Sequence, residues 1–194
     1  MRTKTAGRQI EIVVLAFFAG LLLALHPLLG CRASHAKASA KFAMMDLSST
    51  SLHDDQIPAK FTCDGVGGSP QLTWSEPPPG TASFALIATD PDAPFRTFVH
   101  WVIFDLPAAT RTLPEALPTE GLLADGSHQG RNDFDTLGYG GPCPPGHSPH
   151  HYVFTLYALD TNLNLPVGAM RKQVEAAMQG HILATGELIA QYHR

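Results

Sequence analysis

Proline- and glycine-rich segments break the chain into short pieces. The segments SEPPPGTA (75–82), DPDAP (90–94) and GPCPPG (141–146) each exclude continuous helix, because proline lacks a backbone donor and biases the preceding residue toward extended geometry. With 17 glycines and 16 prolines in 194 residues, the composition favours many short strands joined by turns over a helical bundle. This length is that of a single domain of ordinary size.

Short apolar runs with strand character lie between these loops, over residues 42–47, 71–74, 83–89, 98–104 and 152–159. Two of them, FVHWVIF (98–104) and YVFTLYAL (152–159), are apolar on both phases of the alternation. Strands of this kind bury both faces, or bury one face and line a pocket with the other. The pattern predicts a mainly β fold, an antiparallel sandwich with long, proline-stiffened loops.

One helix is predicted, over residues 168–179. Met170, Val174, Ala177 and Met178 form one apolar stripe at helical spacing, and Gly180 stands where a left-handed C-terminal cap belongs. We expect this stripe to be a packing face. Residues 181–192 then form the last predicted strand.

The first thirty residues have the layout of a secretory signal. A basic start precedes an uncharged apolar run from Ile12 to Leu25, and these fourteen residues fall short of the roughly 20 that a membrane-spanning helix needs. LLGC (28–31) resembles a bacterial lipobox, in which the cysteine is lipidated and becomes the new N-terminus. We therefore expect a lipoprotein-type signal peptide over 1–30, lipidation at Cys31, a tether over 31–41 and a folded domain over 42–194.

Two other fates of the N-terminal segment stay open. ASA (38–40) is an A-x-A site for ordinary signal cleavage, which would release a soluble periplasmic or secreted protein. An apolar run extended to Leu29 approaches spanning length and would remain as an uncleaved anchor. We expect the folded domain to lie in the bacterial cell envelope, as a membrane-anchored lipoprotein facing the periplasm or as a soluble protein.

The odd count of three cysteines follows from this processing. Lipidation or removal takes Cys31 out of disulfide pairing, which leaves Cys63 and Cys143 in an oxidising compartment. A disulfide between them is one hypothesis and two separate thiols the other, because spacing alone does not show that their Cα atoms lie within bonding range.

The charge balance argues against a nucleic-acid partner. The formal net charge is −4, and no basic patch is present that would neutralise phosphates along a strand. Removal of residues 1–30 takes away three basic residues and one acidic residue, so the charge falls to −6. Any anion site must therefore rely on local amide and imidazole donors to overcome an unfavourable overall field.

Residues with useful chemistry gather in loops and at the strand starts beside them. Asp90 and Asp92 follow the strand SFALIAT, and His100 lies in the next strand. The glycine-rich segment 138–146 precedes His150 and Tyr152, which lie two apart and so share one face of a strand. Together these groups predict an anion pocket, in which backbone amides, two imidazoles and a phenol act as donors. Asp90 would orient a histidine and raise its pKa.

These motifs identify a family resemblance that covers about residues 42–194. In chain order they are FTCDG (61–65), SPQLTW (69–74), DPDAP (90–94), HWV (100–102), GRNDF (130–134), GYGGPCPP (138–145), HHY (150–152) and FTLYALD (154–160). They resemble the phosphatidylethanolamine-binding protein family, in its bacterial Raf-kinase-inhibitor-like branch. The resemblance implies a two-sheet antiparallel sandwich with one or two short helices, and a pocket near one end that binds phosphate-like anions and phospholipid head groups.

The resemblance also implies which residues bind the ligand: Asp90, His100, Gly141, Pro144, Pro145, His150 and Tyr152. Asp92 is expected to shape the DPDAP turn. Three positions depart from the family pattern, with His151 in place of arginine, Asp105 in place of asparagine and Asp135 in place of glycine. We expect them to alter local electrostatics and to leave the fold unchanged.

The predicted function is that of a non-enzymatic binding module for a small anionic or phosphorylated ligand, such as phosphate or a phospholipid head group. The family resemblance also implies that it would modulate a protein partner by occupying a phosphorylated or acidic segment. Two alternatives stay open: a weak phosphate- or acyl-ester hydrolase that uses the same pocket, and an envelope scaffold or inhibitor that acts through surface loops. We expect no cofactor, no metal and no catalytic residue, and contact with the membrane only through the N-terminal lipid.

Overall fold

The computed structural model describes residues 42–194. The predicted signal peptide, the lipidation at Cys31 and the tether over 31–41 lie outside the described residues. Within 42–194, no helix has the length and hydropathy needed to span a bilayer.

The described chain forms two β-sheets, one short α-helix and one 3-10 turn at Ala59–Phe61. The strands are β1 (Ala43–Met44), β2 (Leu47–Ser48), β3 (Leu72–Trp74), β4 (Ser83–Asp90), β5 (Phe98–Pro107), β6 (Thr112–Leu113), β7 (His128–Gln129), β8 (His150–Leu159) and β9 (Ile182–Tyr192), and the helix is α1 (Arg171–Ala177). The larger sheet has the order β1-β9-β8-β4-β5-β7, and the smaller has the order β2-β3-β6. The predicted mainly β, two-sheet sandwich is confirmed.

The pairing is antiparallel except at one edge, where β1 runs parallel to β9. Ala43 lies opposite Ala184 and Met44 opposite Thr185, so the chain enters the sheet near the start of β9. At its other end, β9 places Tyr192 opposite His150, the first residue of β8.

The central strands bury side chains on both faces, as their continuous apolar pattern predicts. On β4, Phe84 and Leu86 pack into the core between the two sheets, whereas Ala85 and Ile87 pack into a second cluster with Val174 of α1. The smaller sheet therefore covers one face of the larger sheet, and α1 with its flanking segments covers part of the other.

The helix is shorter than predicted. It spans Arg171–Ala177, because Gly168 has a φ of +79° and Met170 is extended with a ψ of 159°. Val174 and Met178 are buried as the stripe predicts, but Met170 is 54% exposed. The helical spacing therefore predicted the packing face correctly. It was wrong for the first predicted turn, because residues 168–170 are not helical. Gly180 takes the predicted left-handed conformation, with a φ of +83°.

The last strand, β9, needs a glycine near its centre because another segment of the chain crosses it closely there. A Cβ built at Gly186 would lie 2.8 Å from the carbonyl oxygen of Met45, in the turn between β1 and β2. This position therefore sets how closely the N-terminal strands approach β9.

Replacing Gly186 with alanine should reduce the free energy of unfolding by about 1–3 kcal/mol, because the added methyl group forces the Met45 carbonyl away from β9. Chemical denaturation followed by circular dichroism measures this. Glu187→Ala, at the neighbouring exposed position, is the control and should stay within about 0.5 kcal/mol of wild type. Equal stability of the two variants would contradict the close crossing.

Candidate functional site

A pocket of about 200 Å³ opens at the end of the larger sheet where β4 ends and where β5 and β8 begin. The register brings these ends together, because Asp90 pairs with Phe98 and Thr89 pairs with Val153. Six of the seven predicted binding residues line the pocket: Asp90, His100, Pro144, Pro145, His150 and Tyr152. Residues from four separate parts of the sequence thus surround one space.

Asp90 organises this end of the sheet through two hydrogen bonds. Its Oδ1 accepts the backbone N–H of Asp92 at 2.8 Å, and its Oδ2 lies 2.8 Å from Nδ1 of His150. Asp90 is only 3% exposed and His150 is also buried. Because a carboxylate can only accept, Nδ1 of His150 carries a proton, so in the neutral form of the ring Nε2 is the acceptor.

His100 is fixed in the same tautomer by a different partner. Its Nδ1 lies 2.7 Å from the carbonyl oxygen of Gly140, so Nδ1 donates and Nε2 is again the acceptor of the neutral ring. Burial lowers the pKa of His100 below its ordinary value of 6.5, against the opposing effects of the Gly140 carbonyl and the Asp90 charge. His100 is therefore uncharged at neutral pH.

Tyr152 brings an unpaired hydroxyl to the pocket. The residue is 2% exposed, and its buried Oη has no hydrogen-bond partner among the described residues. Burial, with the nearby Asp90 charge, raises the pKa of this phenol far above its usual range, so the hydroxyl keeps its proton. A buried donor without a partner is costly, and such a group marks a place where a ligand or an ordered water completes the site.

Two phenylalanines that sequence reasoning missed form an aromatic wall. Phe98 and Phe134 both line the pocket, with ring centroids 4.8 Å apart, and each ring packs against His100. A signal for Phe98 was present, since it lies two residues before His100 and so on the same face of β5. Phe134 belongs to the quoted motif GRNDF, but no periodicity indicates that its loop folds over the pocket.

Gly141, the seventh predicted residue, does not line the pocket. It lies against the backbone of residues 61–62, where an added Cβ would be 2.7 Å from the carbonyl oxygen of Phe61. Tyr139 donates its hydroxyl to the same oxygen at 3.0 Å. Glycine is therefore needed here for a close crossing of two chain segments behind the pocket.

The structure joins Cys63 to Cys143 in a disulfide, so it favours the bridged hypothesis over two separate thiols. Their Cα atoms are 5.4 Å apart, and the Cys63 amide donates to the carbonyl of Pro142 at 3.0 Å. Cys143 itself lines the pocket. The bridge thus ties the pocket wall to the turn that follows the 3-10 segment.

Asp92 lies beside the site and pairs with one of the departures from the family pattern. Its Oδ2 accepts both the backbone amide and Nδ1 of His151, at 2.8 and 2.7 Å, and these bonds lower the pKa of Asp92. Gln191 donates to Nε2 of the same ring at 3.0 Å. His151 therefore ties the DPDAP turn to the start of β8 and does not line the pocket.

The other two departures occupy left-handed backbone positions. Asp105 has a φ of +56° and Asp135 a φ of +64°, a region that asparagine and glycine also favour. Asp105 accepts the amides of Leu163 and Asn164, and Asp135 pairs with Arg131 at 3.0 Å. Aspartate therefore keeps the left-handed backbone at both positions, and neither residue lines the pocket.

Other side chains with reactive chemistry are hydrogen-bonded, joined in the disulfide or outside the pocket. Nδ1 of His147 lies 2.8 Å from the carbonyl oxygen of Arg194, and Cys143 has no free thiolate to offer a metal ion. Ser148 is exposed and does not line the pocket. Over residues 42–194, no group of three or more histidine, cysteine or acidic side chains is arranged to hold a metal ion.

Comparison with known proteins gives this arrangement a family. The model of the family described as phosphatidylethanolamine-binding protein matches residues 48–193. The chain belongs to this family. A UPF0098 protein of Aquifex aeolicus is 48% identical over 159 residues, which cover 80% of this chain and 92% of that protein. The UPF0098 protein YbcL of Escherichia coli is 43% identical over 141 residues, which cover 68% of this chain and 75% of YbcL.

Two solved structures of family members share the fold. The homologue CT736 from Chlamydia trachomatis superposes with a TM-score of 0.70 at 36% identity, over 78% of this chain and 98% of that chain. The structure of Escherichia coli YbcL gives a TM-score of 0.67 at 35% identity, over 77% of this chain and 98% of that one.

Replacing Asp90 with asparagine should reverse the tautomer of His150. The amide oxygen can still accept the Asp92 N–H, but its NH2 group then faces Nδ1 and donates to it, so the proton of the neutral ring moves to Nε2. The nitrogen chemical shifts of ¹⁵N-labelled imidazole at neutral pH report this exchange. Asp92→Asn, which alters the exposed pair with His151, should leave the His150 tautomer unchanged. A persistent Nδ1–H signal in D90N would contradict the assigned hydrogen bond.

Proposed function

We propose that this protein is a non-enzymatic binding protein whose pocket holds a small oxyanion, with the phosphate of a monoester or phospholipid head group as its preferred ligand. One observation carries this proposal: the buried Tyr152 hydroxyl, which lacks a partner within residues 42–194 and lines a pocket that also contains two imidazoles. A phosphate oxygen is the acceptor that this donor lacks. The imidazoles of His100 and His150 would bind the other oxygens.

The electrostatics of the pocket require that a proton accompanies the anion. Within the described residues, no lysine or arginine lines the pocket, and Asp90 adds a carboxylate to it. Residues 42–194 hold only seven lysines and arginines against sixteen acidic residues. An oxyanion therefore forms a hydrogen bond with His100 or His150 only when the ring takes up a proton and donates it, or when the ligand carries a P–OH that donates to the ring.

The size of the pocket suits a head group better than a whole lipid. Its volume of about 200 Å³ is smaller than the roughly 300–1,000 Å³ typical of sites for drug-sized ligands. Phe98 and Phe134 would contact the organic part of a monoester next to the phosphate. Modulation of a protein partner, through a phosphorylated side chain in this pocket, is compatible with the same chemistry.

A location in the cell envelope is part of the proposal. The disulfide between Cys63 and Cys143 supports it, because such bonds persist in oxidising compartments such as the periplasm. The lipobox-like LLGC (28–31) supports attachment to the membrane through Cys31.

Replacing Tyr152 with phenylalanine should weaken the binding of inorganic phosphate by about tenfold or more, through loss of a charge-assisted hydrogen bond. The same change should not reduce the free energy of unfolding, because it removes a buried hydroxyl that has no partner within residues 42–194. Isothermal titration calorimetry and chemical denaturation measure the two effects.

Tyr139→Phe is the matched control. The Tyr139 hydroxyl is paired with Phe61, and Tyr139 does not line the pocket, so this variant should lose about 1–3 kcal/mol of stability and still bind phosphate. If Y152F instead lost stability and bound phosphate normally, the Tyr152 hydroxyl would have a structural role. Turnover of a phosphate ester that disappears in His150→Ala would favour the hydrolase alternative.

The binding of sulfate should strengthen as pH falls through the pKa of His100, which burial holds below 6.5. Sulfate carries no proton near neutral pH, so it requires a protonated imidazole. Because one proton is taken up on binding, the affinity for sulfate should fall by about tenfold for each pH unit above the pKa of His100. Phosphate, which can supply a P–OH, should keep its affinity to higher pH. Titrations between about pH 5 and about pH 8 test this. A sulfate affinity that does not change with pH would contradict proton-coupled binding.

A further inference from the structure

One wall of the pocket is formed by a loop with few backbone attachments. Cys143, Pro144 and Pro145 line the pocket and begin a segment, residues 143–149, that ends at the start of β8. We call this segment the wall loop. Most of it is exposed, and Pro144 is its buried residue.

The wall loop makes no backbone–backbone hydrogen bond within the described part of the chain. Pro144 and Pro145 have no amide hydrogen to donate. The segment just before it differs, because Gly138 donates to Gly130 and Gly140 donates to His100. The position of the wall loop therefore depends on its two ends and on side-chain bonds.

From the described residues, two such bonds reach the wall loop. The weaker is the contact between Nδ1 of His147 and the carbonyl of Arg194, which is exposed. The stronger is the disulfide from Cys143 to Cys63. Cys63 lies in a well-bonded turn, where Thr62 donates to Ala59 and Gly65 donates to Thr62. The disulfide thus attaches a loop with few bonds of its own to a firmly bonded support.

Both cysteines of this disulfide are exposed, so a thiol in solution can reach it. Neither sulfur belongs to the buried clusters between the sheets or under α1. Asp90 and His150 are held by their own hydrogen bond and by the pairing of β8 with β9. Loss of the disulfide should therefore loosen the wall loop first and leave the sandwich folded.

We propose that the Cys63–Cys143 disulfide is a redox control of ligand binding, an inference that rests on the proposed function of the pocket. In the oxidised protein the disulfide holds Pro144 and Pro145 in place, and the pocket is preorganised for an oxyanion. A dithiol reductant transfers two electrons and two protons to the bridge, which yields two protein thiols and an oxidised, disulfide form of the reductant. The released wall loop must then be ordered again each time a ligand binds.

The test compares phosphate binding by the full-length protein in three forms: oxidised, treated with excess dithiothreitol, and carrying Cys63→Ser with Cys143→Ser. Thiol titration confirms that reduction exposes the two cysteines, and circular dichroism confirms that the sheets remain. The reduced and substituted forms should bind phosphate about tenfold more weakly, the factor expected when about one backbone residue must be ordered on binding. Reoxidation should restore the affinity of the wild-type protein.

Gly186→Ala with the disulfide intact is the matched control, because it lowers stability at a site away from the pocket and should retain the oxidised affinity. An equal loss of binding in G186A would show that the disulfide acts only through global stability, and would overturn the inference. Unchanged phosphate affinity after both thiols are freed would overturn it as well. If the oxidised wild-type protein bound no phosphate, the proposed function itself would fail, and this inference with it.

Discussion

The geometry of the pocket depends on the two hydrogen bonds that the buried Asp90 carboxylate accepts. One oxygen closes the DPDAP turn through the Asp92 amide, and the other fixes the ring of His150. The end of β4, the turn after it and the start of β8 are thus joined by a single side chain that is 3% exposed. Because each oxygen has its own donor, a substitution that removes both oxygens alters turn shape and ring chemistry together.

The central strands β4, β5 and β8 could be predicted from the sequence because their apolar pattern reflects burial on both faces of the larger sheet. The two-residue strands β6 and β7 were not predicted, and the predicted strand over 42–47 divides between β1 and β2. The helix was less predictable, since Met170 matches the helical stripe, although the left-handed Gly168 delays the first turn. The family resemblance implied that Gly141 binds the ligand, but its neighbours are the backbone atoms of residues 61–62. Contacts between segments about 80 residues apart leave no periodic signal in the sequence.

The electrostatic character of the site could likewise be predicted only in part from the sequence. The residue types indicated imidazoles available as cationic donors, and the structure has both His100 and His150 at one pocket. What the sequence does not contain is the degree of burial, which lowers the pKa of His100 and leaves its ring an acceptor at neutral pH. Desolvation and the choice of tautomer depend on the Gly140 carbonyl and the Asp90 carboxylate, whose positions only the folded chain defines. The aromatic wall of Phe98 and Phe134 likewise arises from a loop that folds over the strand.

The parallel pairing of β1 with β9 sets where the described chain joins the larger sheet relative to the pocket. The chain enters beside Ala184 and runs in the same direction as β9, which ends beside His150 at the pocket. About seven residues of extended strand separate Thr185 from Tyr192, a length of roughly 23 Å. The described chain therefore joins the larger sheet near the end that is remote from the pocket mouth.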